Sequence, residues 1–176
     1  MRLVDAPRCP YCARVRIALA EKELDAERIE IDLSDRPQWV IDLNPPAGRV
    51  PVLDDGFTLP ESEVIMAYLD ERFPERPLLP ESLPERARAR LLVHRFDDLL
   101  GRDYYAFRRG DQNELDAKLA RLEVGQSLFA DIAYVPWVIR ARDMLDVALP
   151  EHLNAWLGEW EQRPSVAAEV ELVRSL

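Results

Sequence analysis

Cys9 and Cys12 are the only cysteines of this 176-residue chain, and they stand two residues apart with Pro10 and Tyr11 between them. A bridge closing so small a loop removes little chain entropy, so the pair cannot staple a fold and its value is chemical or accidental. Its surroundings fix its place. Arg2-Leu3-Val4 reads as a short strand, and Pro10 to Lys22 reads as a helix with Val15, Ala18 and Leu19 on one face. The cysteines therefore sit where a strand hands over to a helix that must pack back on the strand's sheet.

The following residues extend that plan. Ile29 and Ile31 alternate with acids in a second strand over 27–31, and Pro37-Gln38-Trp39 opens a short helix ending near Leu43. Val50 to Leu53 and Phe57 to Leu59 flank Asp54-Asp55-Gly56, which predicts an antiparallel hairpin and hence a mixed sheet. Val64, Ile65, Tyr68 and Leu69 recur at helical spacing until Pro74. Residues 1–74 are thus expected to form an α/β domain, and 75–84, punctuated by Pro77, Pro80 and Pro84, a stiff linker.

Residues 85–176 are expected to form an all-helical bundle. Leu92, Phe96 and Leu99 mark one helix, Leu115, Leu119 and Leu122 a second, and Leu153, Trp156, Leu157 and Trp160 a later one. Ala130 to Ile139 is apolar on nearly every side and predicts a buried central helix bent near Pro136.

Composition removes several function classes. With 33 acidic against 23 basic residues the formal net charge is -10, which opposes nucleic-acid backbones and anionic lipid. No stretch approaches the roughly 20 apolar residues of a membrane span, and Met1 to Asp5 lacks a signal-peptide core, so a cytoplasmic location is expected. Only His94 and His152 could supplement the cysteines as metal ligands, and they are isolated, so no metal is expected.

In such a setting Cys-x-x-Cys at the start of a helix reads as a thioredoxin-like redox motif. The helix N-terminus presents N–H groups and positive potential to the first sulfur, lowering a thiol pKa from about 8.5 toward roughly 3.5–7.5, and Arg8 or Arg14 adds to the effect. Cys9 is the expected nucleophile, and Cys12, one turn further in, is placed to resolve a mixed disulfide at Cys9.

Cys9-Pro10-Tyr11-Cys12, Arg49-Val50-Pro51-Val52-Leu53, Glu61-Ser62 before Ile65-Met66-Ala67-Tyr68-Leu69, and Ala130-Asp131-Ile132-Ala133-Tyr134-Val135-Pro136-Trp137 together resemble the glutathione transferase superfamily. The cysteine at the nucleophile position is similar to omega-type and glutaredoxin-like members, which transfer thiols rather than conjugate. The resemblance implies a thioredoxin-like first domain with a mixed four-stranded sheet, an all-α second domain, glutathione as co-substrate, a small oxidised or electrophilic second substrate, and a homodimer. It implies a cis Val50–Pro51 bond that turns the Val50 backbone toward the cysteinyl part of glutathione, beside Pro10 and Tyr11. Ser62 would receive the γ-glutamyl carboxylate and Glu61 its ammonium, and Arg36 would hold the glycyl carboxylate. Tyr104 and Tyr105 would wall the second-substrate site.

Two departures stand out. Ser127 precedes Asp131 by four residues where the family places three, which predicts an altered helix cap, and the connection from Leu122 to Ser127 is short. A second likeness, carried by Ile41-Asp42-Leu43-Asn44-Pro45 and by Met66 to Pro74, is to stringent starvation protein A, which implies as an alternative a non-enzymatic partner of RNA polymerase. That relative lacks this cysteine pair, so the enzyme reading is favoured.

Overall fold

The structure is a computed structural model describing residues 1–176. The chain divides into two compact units, Met1–Pro77 and Leu78–Leu176.

In the first unit, alternation along short strands decides the two faces of the sheet. Strands β1 (Arg2–Asp5), β2 (Glu27–Glu30), β3 (Val52–Asp54) and β4 (Thr58–Pro60) lie in the order β2-β1-β3-β4. β1 runs parallel to β2 and antiparallel to β3, and β3 pairs with β4 across the Asp54-Asp55-Gly56 turn, so the sheet is mixed as expected. Leu3 opposes Leu53 and Val4 opposes Val52. The leucines pack with Val15 and Leu19 of α1 (Pro10–Glu21) and with Ile65 and Leu69 of α3 (Ser62–Arg72). The valines pack on the other face with Val40 of α2 (Gln38–Leu43) and with both cysteines. A one-residue slip of β1 would exchange these two sets, so the register that fixes the core also fixes the cysteines.

Pro10 suits the first turn of α1, where its missing N–H costs nothing. At the other end Lys22 is buried, its ammonium 3.2 Å from Asp70 of α3 and donating to the Arg76 carbonyl at 2.7 Å. Removing either side chain of such a pair costs about 3–5 kcal/mol, because a buried charge is left uncompensated.

The second unit holds α4 (Leu83–His94), α5 (Arg102–Arg109), α6 (Leu115–Arg121), α7 (Leu128–Asp143), α8 (Glu151–Trp160) and α9 (Pro164–Arg174). The expectation that Leu92, Phe96 and Leu99 share one helix is corrected: α4 ends at His94, and Leu99 lies in a π-helical turn over Asp97–Gly101. There Phe96 packs 4.3 Å from the Trp137 ring, and a Cβ on Gly101 would fall 2.4 Å from the Phe96 ring. Packing an aromatic ring against α7 outweighs one regular helical turn.

Helix α7 is the core element its composition predicts: every residue from Phe129 to Ala141 is buried, and the helix continues through Pro136. It packs against α4, α8 and α9, and the buried Arg140–Glu169 pair, 2.8 Å apart, ties it to α9. The extra residue between Ser127 and Asp131 does not abolish the cap. Ser127 Oγ accepts from the Ala130 N–H at 3.2 Å, and Asp131 accepts from the Gly125 N–H at 2.9 Å. No helix is long and apolar enough to cross a membrane.

Candidate functional site

Cys9 is the N-cap residue of α1, in an extended backbone conformation, and is 8% exposed. Its thiol lies 3.7 Å from the Val50 carbonyl oxygen, as a donor to it. Val50 is buried beside Cys9, and the Val50–Pro51 peptide is cis, as the sequence implies. Strand β1 and the approach to β3 thus deliver Cys9, Val50 and Pro51 to one place.

Cys12 lies one turn deeper and is fully buried, and both cysteines are free thiols. Burial first, then a hydrogen bond to Cys9 and the negative charges of Cys9 and Asp5, push the Cys12 thiol up. Its proton therefore stays on Cys12 and is offered to the Cys9 sulfur. The two positions are unequal: Cys9 stands at the helix N-cap and is 8% exposed, and Cys12 is fully buried one turn behind it.

Asp5, a buried residue that sequence reasoning passed over, stands at the end of β1, where its carboxylate is ion-paired with Arg16 and with Arg28. Two guanidiniums compensate the charge of this fully buried side chain and lock the strand end that leads into the cysteine motif. An aspartate closing an apolar strand directly before the motif was the available signal.

Glu61 is the N-cap of α3 and holds φ at +71°, a conformation L residues seldom adopt and that costs of order 1–3 kcal/mol. Ser62 follows, 3% exposed, its hydroxyl accepting from Arg14 Nη1 at 3.3 Å. Arg14 is itself 3% exposed, with its guanidinium 5.1 Å from the centre of the Tyr11 ring. The sequence assigned Arg14 to the thiolate; the structure joins it to Ser62 and Tyr11, linking the cysteine helix to the start of α3. Helical spacing alone could not reveal that contact, because Ser62 is 48 residues away.

Arg36 is exposed and donates to the Ala47 carbonyl at 3.2 Å. Pro10 is buried and Tyr11 half-buried. In the second unit, Tyr104 is 2% exposed and packs edge-on to Tyr105 at 5.2 Å. Burial raises the Tyr104 hydroxyl pKa, so it stays neutral.

A parallel β1–β2 pair, an antiparallel β3–β4 hairpin and a cysteine at the first helix N-terminus define a thioredoxin-like unit, here followed by a helical unit. Residues 3–77 match the family model described as glutathione S-transferase, N-terminal domain. The chain is 39% identical over 84 residues to a probable glutathione transferase of Aplysia californica, covering 47% of this chain and 90% of that one. It is 36% identical over 116 residues to pyrimidodiazepine synthase of Drosophila melanogaster (63% and 47% covered) and 42% identical over 97 residues to a stringent starvation protein A homolog of Coxiella burnetii (55% and 46%). A rice glutathione transferase solved in complex with glutathione superposes with a TM-score of 0.80 at 26% identity, over 98% of this chain and 93% of that one. The chain belongs to the glutathione transferase family. It spans about half the length of the curated relatives named from Drosophila and Coxiella.

Proposed function

We propose that this protein is a glutathione-dependent thiol transferase with Cys9 as nucleophile. The observation that carries the reading is the unequal cysteine pair: Cys9 at the helix N-cap against the Val50 carbonyl, and a fully buried Cys12 behind it. The Cys9 thiolate attacks the glutathione sulfur of a mixed disulfide. The old S–S bond breaks, Cys9–S–glutathione forms, and the other thiolate leaves and takes up a proton. A second glutathione, as thiolate, attacks the adduct, releasing oxidised glutathione and restoring Cys9. The sum is one mixed disulfide and one glutathione converted to one free thiol and one oxidised glutathione. Reduction of dehydroascorbate-type acceptors would use the same covalent intermediate.

In this reading the Val50 backbone pairs with the cysteinyl part of glutathione, between Pro51 and the Pro10-Tyr11 turn. Ser62 and the N–H groups opening α3 bind the γ-glutamyl carboxylate, Glu61 its ammonium, and Arg36 the glycyl carboxylate. Cys12 serves resolution only if its proton is removed, so the second glutathione is the favoured resolving thiol. The working form is a homodimer.

Intact mass measurement after exposure to oxidised glutathione, followed by a thiol-transfer assay, tests the reading. A glutathione adduct adds about 305 Da, distinct from an internal Cys9–Cys12 bond. The adduct and turnover are expected in the wild type and in Cys12→Ser, and are expected to vanish in Cys9→Ser. Wild-type protein with neither adduct nor turnover would sink the proposal and favour the starvation-protein-like alternative, in which RNA polymerase is retained by a Cys9→Ser bait.

A further inference from the structure

The sheet face that carries Val4 and Val52 is only partly covered. Every second residue of a strand points to the same face, so the register lays two rows across it. One row is apolar, with Ile29 beside Val4 and Val4 beside Val52. The next is polar, with Arg2 beside Asp54 and Asp54 beside Thr58. Helix α2, above them, is six residues long, and of its apolar side chains only Val40 is fully buried. Trp39 and Leu43, one turn apart, are 42% and 36% exposed. A cavity of about 370 Å³ lies between this pair and the two rows of the sheet.

Its walls set the chemistry of an occupant. An indole partly in water above an apolar floor is matched by a flat ring laid against it, which removes both surfaces from solvent. The volume lies at the lower end of the range typical of small-molecule pockets, about 300–1,000 Å³, and suits a ligand of about two fused rings. The charged groups of the lining are one cation and one anion, Arg2 and Asp54, already paired with each other. A charged ligand would have to compete with that pair, and a neutral one would not. Both Asp54 oxygens are engaged, one by Arg2 Nη2 and the other by the Gly56 N–H at 3.2 Å. The guanidinium carries five N–H donors and spends only those of Nη2 on Asp54, while the exposed Thr58 hydroxyl makes no hydrogen bond within the chain. The polar end thus has donors to give, and a carbonyl oxygen is the neutral group that takes them.

We propose that the cavity between α2 and the sheet binds a neutral, planar, bicyclic aromatic carbonyl compound. Its rings lie between the Trp39–Leu43 pair and the Val4–Val52 row, and its carbonyl oxygen accepts from Arg2 and Thr58. Arg2 stands at the end of β1 away from the cysteine motif, so the site does not rest on the thiol-transfer reading.

Equilibrium dialysis of the full chain against 2-quinolone, a neutral bicyclic lactam, tests this. One 2-quinolone per chain is expected, undisturbed by saturating glutathione. Its affinity should fall at least about tenfold in Trp39→Ala, which removes the ring wall, and about tenfold in the Arg2→Met/Thr58→Val double variant, which removes the donors. Naphthalene, with the same two rings and no carbonyl, should be weakened by Trp39→Ala and unaffected by the double variant. The exposed Arg2–Asp54 pair contributes little to stability, so both variants are expected to fold. No binding of 2-quinolone, undiminished affinity in folded Trp39→Ala, or equal loss of the two ligands in the double variant would overturn the proposal. So would displacement by glutathione, which would put the ring at the cysteine site, or tighter binding of 2-naphthoate, which would make the cavity an anion site.

Discussion

Two helices of this protein begin in opposite ways. Helix α7 opens on Ser127, whose hydroxyl accepts from the Ala130 N–H, while Asp131 reaches back to the Gly125 N–H. Helix α1 opens on Cys9, a residue type that is not a capping residue, whose thiol faces the Val50 carbonyl instead of closing the first turn. The same positive helix end is capped by a hydroxyl in one unit and carries a thiol that faces elsewhere in the other. Capping and thiol chemistry would draw on the same few N–H groups, and the chain uses those groups differently at these two helix starts.

Replacing Cys9 by serine is the strongest way to break the contrast. Thiol transfer should fall by a factor on the order of a thousand or more, equivalent to about 4 kcal/mol in the barrier, as measured by turnover with a glutathione mixed disulfide. Retained turnover would remove Cys9 from the chemistry altogether.

From the α7 side, the lever is Asp131. Burial pushes its carboxyl up to about 6, against the pull of the Gly125 N–H. A carboxyl pKa raised by folding favours the protonated native state, so this contribution is fully present below about pH 4, the unfolded value, and is lost as pH rises through about 6. Denaturant unfolding of wild type and Asp131→Asn across pH 4 to 7.5 should show the wild type losing up to about 3 kcal/mol relative to the variant. Parallel curves would place the ionised aspartate in a better-solvated setting than its 7% exposure indicates.

Exchanging the caps gives the smaller effects. Ser127→Cys should cost about 1 kcal/mol of stability without affecting thiol transfer. In the opposite direction, the inactive Cys9→Ser protein should unfold at equal or slightly higher denaturant, by a few tenths of a kcal/mol, because serine caps where cysteine does not. A clear loss of stability there would mean that the Cys9 packing against Val4, Val50 and Val52 outweighs the cap.

Much of this was legible in the sequence because it rests on local periodicity and turn chemistry. The alternation at Ile29 and Ile31, the Asp54-Asp55-Gly56 turn and the continuous apolar run of α7 each appear where they were read. What escaped depends on partners far apart in the chain. The π-helical turn follows from Phe96 meeting Trp137, 41 positions on, and no helical spacing encodes it. Helix α9 was not read; its buried Glu169 breaks the apolar pattern and is intelligible only once Arg140 stands opposite. At the candidate site, the cysteines, Val50, Pro51 and the Glu61-Ser62 pair were found through motif order. The buried links Arg14–Ser62 and Asp5 with Arg16 and Arg28 were not, because charged residues on short elements read as solvent-facing until their partners are known.

The Lys22 ammonium, held by Asp70 and by the carbonyl of Arg76, also sets where the first unit can be cut from the rest. A fragment stopping at Phe73, where the last helix of the sheet unit has ended, would keep every strand and helix yet strip a buried cation of one of its two acceptors. One running through Pro77 would retain both. A cut that leaves this buried cation fully compensated must therefore fall beyond the Arg76 carbonyl, past the last helix, and the secondary structure alone would not place it there.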